Sequence, residues 1–98
     1  MITYKVLITT KADSDEVDIH KYILEKSGEI YADNFRKKLI ELFKLLAKQP
    51  FLGRPAKNDT VLRVFIFNRQ NKIVYQVTES EIIILRLLHT KTNLASKF

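Results

Sequence analysis

The chain has 98 residues and carries 17 Lys and Arg against 11 Asp and Glu, a net charge of +6 that predicts attraction to polyanions, either nucleic acid or an acidic protein. Its length suits one domain over residues 1–98, its 46% hydrophobic content excludes a disordered chain, and its lack of cysteine excludes a disulfide framework or a thiolate metal site. Its two histidines show no ligand spacing, no apolar run reaches the roughly 18 residues of a membrane span, and the N-terminus lacks a signal-peptide pattern. The expectation is a soluble, cytoplasmic protein without a metal or cofactor.

Met1 to Thr10 alternates Ile2, Tyr4, Val6 and Ile8 with Thr3, Lys5, Leu7 and Thr9, the period of a strand. Lys11 to Lys26 reads as a helix. Asp13 or Ser14 is its expected cap, Asp15, Glu16 and Asp18 suit the positive end of the helix dipole, and Ala12, Ile19, Tyr22 and Ile23 share a face. Ser27-Gly28 breaks it. Glu29 to Lys48 is a stronger amphipathic helix, with Ala32, Phe35, Leu39, Leu42, Phe43 and Leu46 forming its core stripe. Pro50 stops that helix, and Gly53 and Pro55 are expected to shape a turn.

Three apolar runs follow at 61–67, 72–78 and 82–88, rich in Val, Ile, Phe and Tyr and separated by Asn68-Arg69-Gln70-Asn71 and Thr78-Glu79-Ser80-Glu81. This pattern predicts a three-stranded antiparallel meander, whose last strand, apolar at both parities, is an inner one. The fold class is α+β in the order β-α-α-β-β-β, an antiparallel sheet with a helical hairpin packed on one face.

Alternation divides each strand into two sets of side chains. We expect Leu62, Val64 and Ile66, with Ile73, Tyr75 and Val77 and with Ile83, Leu85 and Leu87, to face the helices. That leaves Arg63, Phe65, Phe67, Lys72, Gln76 and Arg86 on the open face, as cations and aromatics suited to phosphates, bases or an acidic peptide. No phosphate loop or Ser–His–acid arrangement is present in the sequence. His20 falls within the first helix, beside its apolar face, as a structural or surface residue, whereas His89 stands at the exit of an inner strand, where functional groups often sit.

These residues resemble the RelE/ParE superfamily of bacterial type II toxin–antitoxin toxins. The resemblance lies in the element order and in Ala12-x-x-Asp15-Glu16-x-x-Ile19-x-x-Tyr22-Ile23. It continues in Lys48-Gln49-Pro50-Phe51-Leu52-Gly53-Arg54-Pro55, Leu62-Arg63-Val64-Phe65, Ile73-Val74-Tyr75-Gln76-Val77 and the ending from Ile84 to Asn93. It implies a small basic toxin, of the plasmid-stabilisation kind, neutralised by an acidic antitoxin whose tail wraps around it.

The resemblance divides by target. ParE-like members resemble inhibitors of DNA gyrase that act by binding, and the Pro-x-x-Gly-Arg-Pro linker, the Leu-Arg-x-Phe strand and the Leu-x-x-Leu-His-Thr ending are closer to them. RelE-like members resemble metal-independent endoribonucleases that cut mRNA on the ribosome. Here that chemistry would fall to Arg63, Lys72, His89 and Lys91. Phe65 stands where that branch has a second cation, Thr92 falls near its terminal arginine, and no tyrosine follows His89. We therefore expect a ParE-like gyrase inhibitor, with the ribonuclease as one alternative and a non-toxic basic binding module as another.

Overall fold

A computed structural model of the protein describes residues 3–56 and 59–93, without the side chains of 59 and 60. The order is β1 (Lys5–Ile8), α1 (Thr10–Ser27), α2 (Glu29–Lys48), β2 (Arg54–Ala56), β3 (Asp59–Phe67), β4 (Asn71–Val77) and β5 (Glu81–His89). The start of the predicted first strand at Met1 and Ile2 lies outside the described residues. No helix among them is long and apolar enough to cross a membrane.

The α+β class and the helical hairpin are as expected. The sheet is nonetheless mixed: its strands run β1-β5-β4-β3-β2, and β1 lies parallel to β5 while the other pairings are antiparallel. A parallel neighbour requires a long crossover, and the α1–α2 hairpin belongs to the chain that provides it. Sequence reading also omitted β2, three residues containing a proline; such a segment has too few positions to show a period, and Pro at an edge is tolerated.

Thr9, rather than Asp13 or Ser14, caps α1, its Oγ1 accepting from the Ala12 N–H at 3.1 Å. Gly28 closes α1 at φ 94°, a left-handed conformation that favours glycine, and its N–H donates to the Leu24 carbonyl. Ala32, Phe35, Leu39 and Leu46 are buried as the stripe of α2 predicts. Phe35, Leu39 and Leu46 meet Ala12, Phe67, Ile73, Tyr75, Ile82, Ile84 and Leu87 in one apolar cluster.

That cluster corrects the expected sidedness. The β4 parity is right, but β3 turns Phe65 and Phe67 toward the helices, with the Phe35 and Phe67 rings stacked at 5.8 Å. The three-residue loop Asn68-Arg69-Gln70 sets Phe67 opposite Asn71 and Phe65 opposite Ile73, and register dictates face. In β5, Ile82 and Ile84 point inward and Ile83 does not. A bulge then leaves Leu85 without an opposite residue, which brings Leu87 back to the core. Both parities of β3 and β5 are apolar, so alternation alone does not choose between them.

Tyr75, fully buried, anchors the α2–β2 connection. Its O–H donates to the Pro50 carbonyl and accepts from the Gly53 N–H, both at 2.8 Å. A Cβ on Gly53 would lie 2.6 Å from that oxygen, so this glycine is needed for close approach rather than for a turn. Burial foremost raises the Tyr75 pKa above 10.0, against opposing contributions from the Gly53 N–H and Arg63. Above pH 10 the unfolded chain loses this proton while the folded one retains it. The resulting stabilisation is complete below pH 10 and is lost as pH rises through the folded pKa. Tyr75→Phe should cost about 1–3 kcal/mol in denaturant titrations at neutral pH. In wild type, the tyrosinate absorbance of this residue should appear above pH 10 together with loss of structure, and the variant should lack that step.

Candidate functional site

The expected open-face residues divide among three places. Arg63 lies opposite Tyr75, on the helix side of the sheet. Its Nη1 donates to the Gly53 carbonyl at 2.6 Å, and its guanidinium carbon sits 4.7 Å above the centre of the Phe51 ring. Phe51 is 60% exposed, so this clamp presents an aromatic to solvent from a fixed base. Phe65 and Phe67 belong to the core, as above. Neither Arg63 nor these two aromatics is on the face away from the helices.

Arg86 is held at the edge of the sheet. Its Nε and Nη2 donate to the two carboxylate oxygens of Asp15 at 2.8 and 3.0 Å, and one of those oxygens also accepts from the Leu87 N–H at 3.0 Å. Both side chains are largely shielded, at 15% and 16% exposure, and the hydrogen bonds to Asp15, more than its charge, raise the pKa of Arg86 above its ordinary value. This is a fold contact. The Asp15 in the Ala-x-x-Asp-Glu motif hints at it, but only the β5 bulge brings the pair together.

Lys72 and Gln76 remain on the face away from the helices, with Leu62, Val64, Ile66 and Val74, of which Val64 and Val74 are buried. Lys72 is buried, and its Nζ donates to the carbonyls of Thr92 at 2.6 Å and Thr90 at 3.3 Å, tying down the turn after β5. Burial, and then the nearby Arg54 guanidinium, hold this ammonium below the ordinary lysine pKa. Arg54 was missed in the sequence because β2 was. It lies opposite Val64 and so shares the face of Lys72.

His89 ends β5 opposite Asn71 and is exposed. It lines a cavity of about 480 Å³ between α1 and the β3–β4 turn, with Asp18, Tyr22, Asn68 and Gln70. Its Nδ1 accepts from the N–H of Lys91, whose own side chain is exposed. In that turn Asn68 and Arg69 adopt φ 45° and 67°, and Thr90 braces it through the carbonyls of Arg69 and Gln70. The four expected ribonuclease residues therefore do not share one surface: Lys72 faces one way, Arg63 and His89 the other. His20, as expected, is structural in setting. Its Nε2 is buried without a hydrogen bond, 3.8 Å from Asp33. No cluster of metal-ligating residues occurs among the described residues.

The Asp15 contact yields a prediction. Asp15→Ala leaves Arg86 and the Leu87 N–H without their acceptor in a shielded site and should destabilise the fold by about 3 kcal/mol in chemical denaturation. A change below about 0.5 kcal/mol, the scale of an exposed pair, would contradict the role given to it.

Residues 6–94 match the family model described as ParE toxin of type II toxin-antitoxin system, parDE. None of the curated proteins compared with the chain matches it. Among solved structures, the chromosomal ParDE system from P. aeruginosa is similar with a TM-score of 0.78 at 22% identity, covering 91% of this chain and 98% of that one. The toxin–antitoxin complex RelBE2 from Mycobacterium tuberculosis is similar with a TM-score of 0.67 at 20% identity, covering 90% and 99%. HP0894 of Helicobacter pylori, a conserved hypothetical protein, gives 0.57 at 19%, covering 89% and 94%. These structures speak for the fold, whereas the family match runs from β1 to the turn beyond β5: the chain belongs to the ParE toxin family of type II toxin–antitoxin systems.

Proposed function

We propose that this protein arrests growth by binding and poisoning DNA gyrase in the cytoplasm, and that an acidic antitoxin neutralises it. The observation that carries this reading is the dispersal of the cations. Metal-free cleavage of RNA needs a base, an acid and charge stabilisers converging on one phosphate. Here Arg63 is engaged by Gly53 and Phe51, Arg86 by Asp15, and Lys72 faces away from His89. That arrangement suits a protein that works through its surface, as the family membership also suggests. A net charge of +6 and the toxin–antitoxin character of the P. aeruginosa and M. tuberculosis relatives support an acidic partner.

The test is incorporation of labelled thymidine and labelled methionine in bacteria just after induction of this protein alone. Thymidine incorporation should fall first, and the purified protein should increase DNA cleaved by gyrase in vitro. An earlier fall in methionine incorporation would replace this reading with ribosome-dependent cleavage of mRNA. Undiminished growth, with gyrase unaffected in vitro, would leave a non-toxic basic binding module.

A further inference from the structure

We propose that Arg54 and Lys72 form a carboxylate socket on the sheet face away from the helices, which receives an acidic side chain of the neutralising partner. The inference rests on the acidic-partner half of the function proposed above and is independent of gyrase.

Register brings the two cations together. Arg54 lies opposite Val64, and Lys72 lies opposite Ile66 on the far side of β3, so Val64 and Ile66 form a floor between them. The four residues, with Pro55 and Thr90, line an open cavity of about 340 Å³. An ammonium has three N–H donors, and Lys72 gives one each to the carbonyls of Thr90 and Thr92, which leaves one without an acceptor among the described residues. Arg54 is exposed, and among the described residues no carboxylate engages its guanidinium. Three other arginines each have an oxygen acceptor within 3 Å, Arg36 at Glu16, Arg63 at Gly53 and Arg86 at Asp15.

Two positive groups near one another raise each other's energy, and Lys72 already registers Arg54 as a cause of its lowered proton affinity. An anion held between them reverses the sign of that interaction, and a carboxylate accepts from both donors at once. The surroundings decide which anion. Val64, Ile66, Pro55 and Ala56 are aliphatic or small, and Ile66 is 47% exposed. Among the described residues no aromatic ring lines the cavity to stack a base, as Phe65 and Phe67 face the helices. A peptide alternating acidic and apolar residues matches such a surface, with its acid between the cations and an apolar neighbour on Ile66.

The test uses the full chain and a synthetic peptide of alternating leucine and glutamate, with a short oligouridylate as the nucleic-acid probe. Calorimetric titration of wild type should show peptide binding that weakens as salt rises. Arg54→Gln, an exposed substitution that leaves the core intact, should weaken it roughly tenfold, the loss expected for a charged hydrogen bond. Lys72→Gln should act in the same direction, and Lys37→Gln on the exposed side of α2 should change binding less than twofold. Peptide affinity unaffected by Arg54→Gln overturns the socket while leaving the acidic partner in place. A wild-type chain that binds no peptide overturns both. Oligouridylate bound more tightly than the peptide, and equally dependent on Arg54, would reassign the pocket to nucleic acid.

Discussion

The structure depends on how the long strand β5 is completed along an edge that β1 covers only in part. β1 pairs with the first four residues of β5, from Glu81 to Ile84, and then stops. Beyond that point the backbone of an inner strand would be left with unmet donors and acceptors. The chain meets them from the start of α1: Thr9 Oγ1 donates to the Leu85 carbonyl, and Asp15 accepts from the Leu87 N–H. The same Thr9 caps α1, and the same Asp15 takes up Arg86. One short segment thus ends a strand, starts a helix, docks that helix on the sheet and neutralises a cation.

Much of this was legible in the sequence. The α2 limits, the break at Gly28 and the three apolar runs follow from composition and period, because local physics sets them. What the sequence did not show is non-local. The parallel pairing of β1, the bulge at Leu85 and the faces of β3 and β5 arise from register between segments far apart in the chain. Where both parities are apolar, nothing in the local pattern reveals which set is buried. The site inherited that ambiguity. Arg63, Phe65 and Phe67 were displaced by a single residue of register, and Arg54 was hidden in a strand too short to show alternation. Lys72 and Gln76, on the strand whose parity was read correctly, are where they were expected.

The charge of this protein is therefore less uniform than its total suggests. Several cations serve the fold: Arg86 on Asp15, Arg36 on Glu16 at 2.6 Å, Arg63 on Gly53 and Phe51. Fixed in this way, they add rigidity but little that a partner can recruit. Recognition falls to groups whose donors are still open, and to the rigid projection of Phe51. A chain of 98 residues has few side chains for both tasks, and the division between them is visible residue by residue.

The pairing of β1 with β5 joins the two ends of the chain, as the contact between Thr9 and Leu85 spans a sequence separation of 76 residues. During synthesis β1 emerges well before its partner. Until then the N-terminal strand has no sheet to enter, and the Thr9 and Asp15 side chains have no β5 backbone to meet. A pairing of such long sequence separation closes slowly, and the surface it completes waits until β5 has left the ribosome. For a member of a toxin family, that lag is time in which a partner already present can meet the chain before β5 is in place.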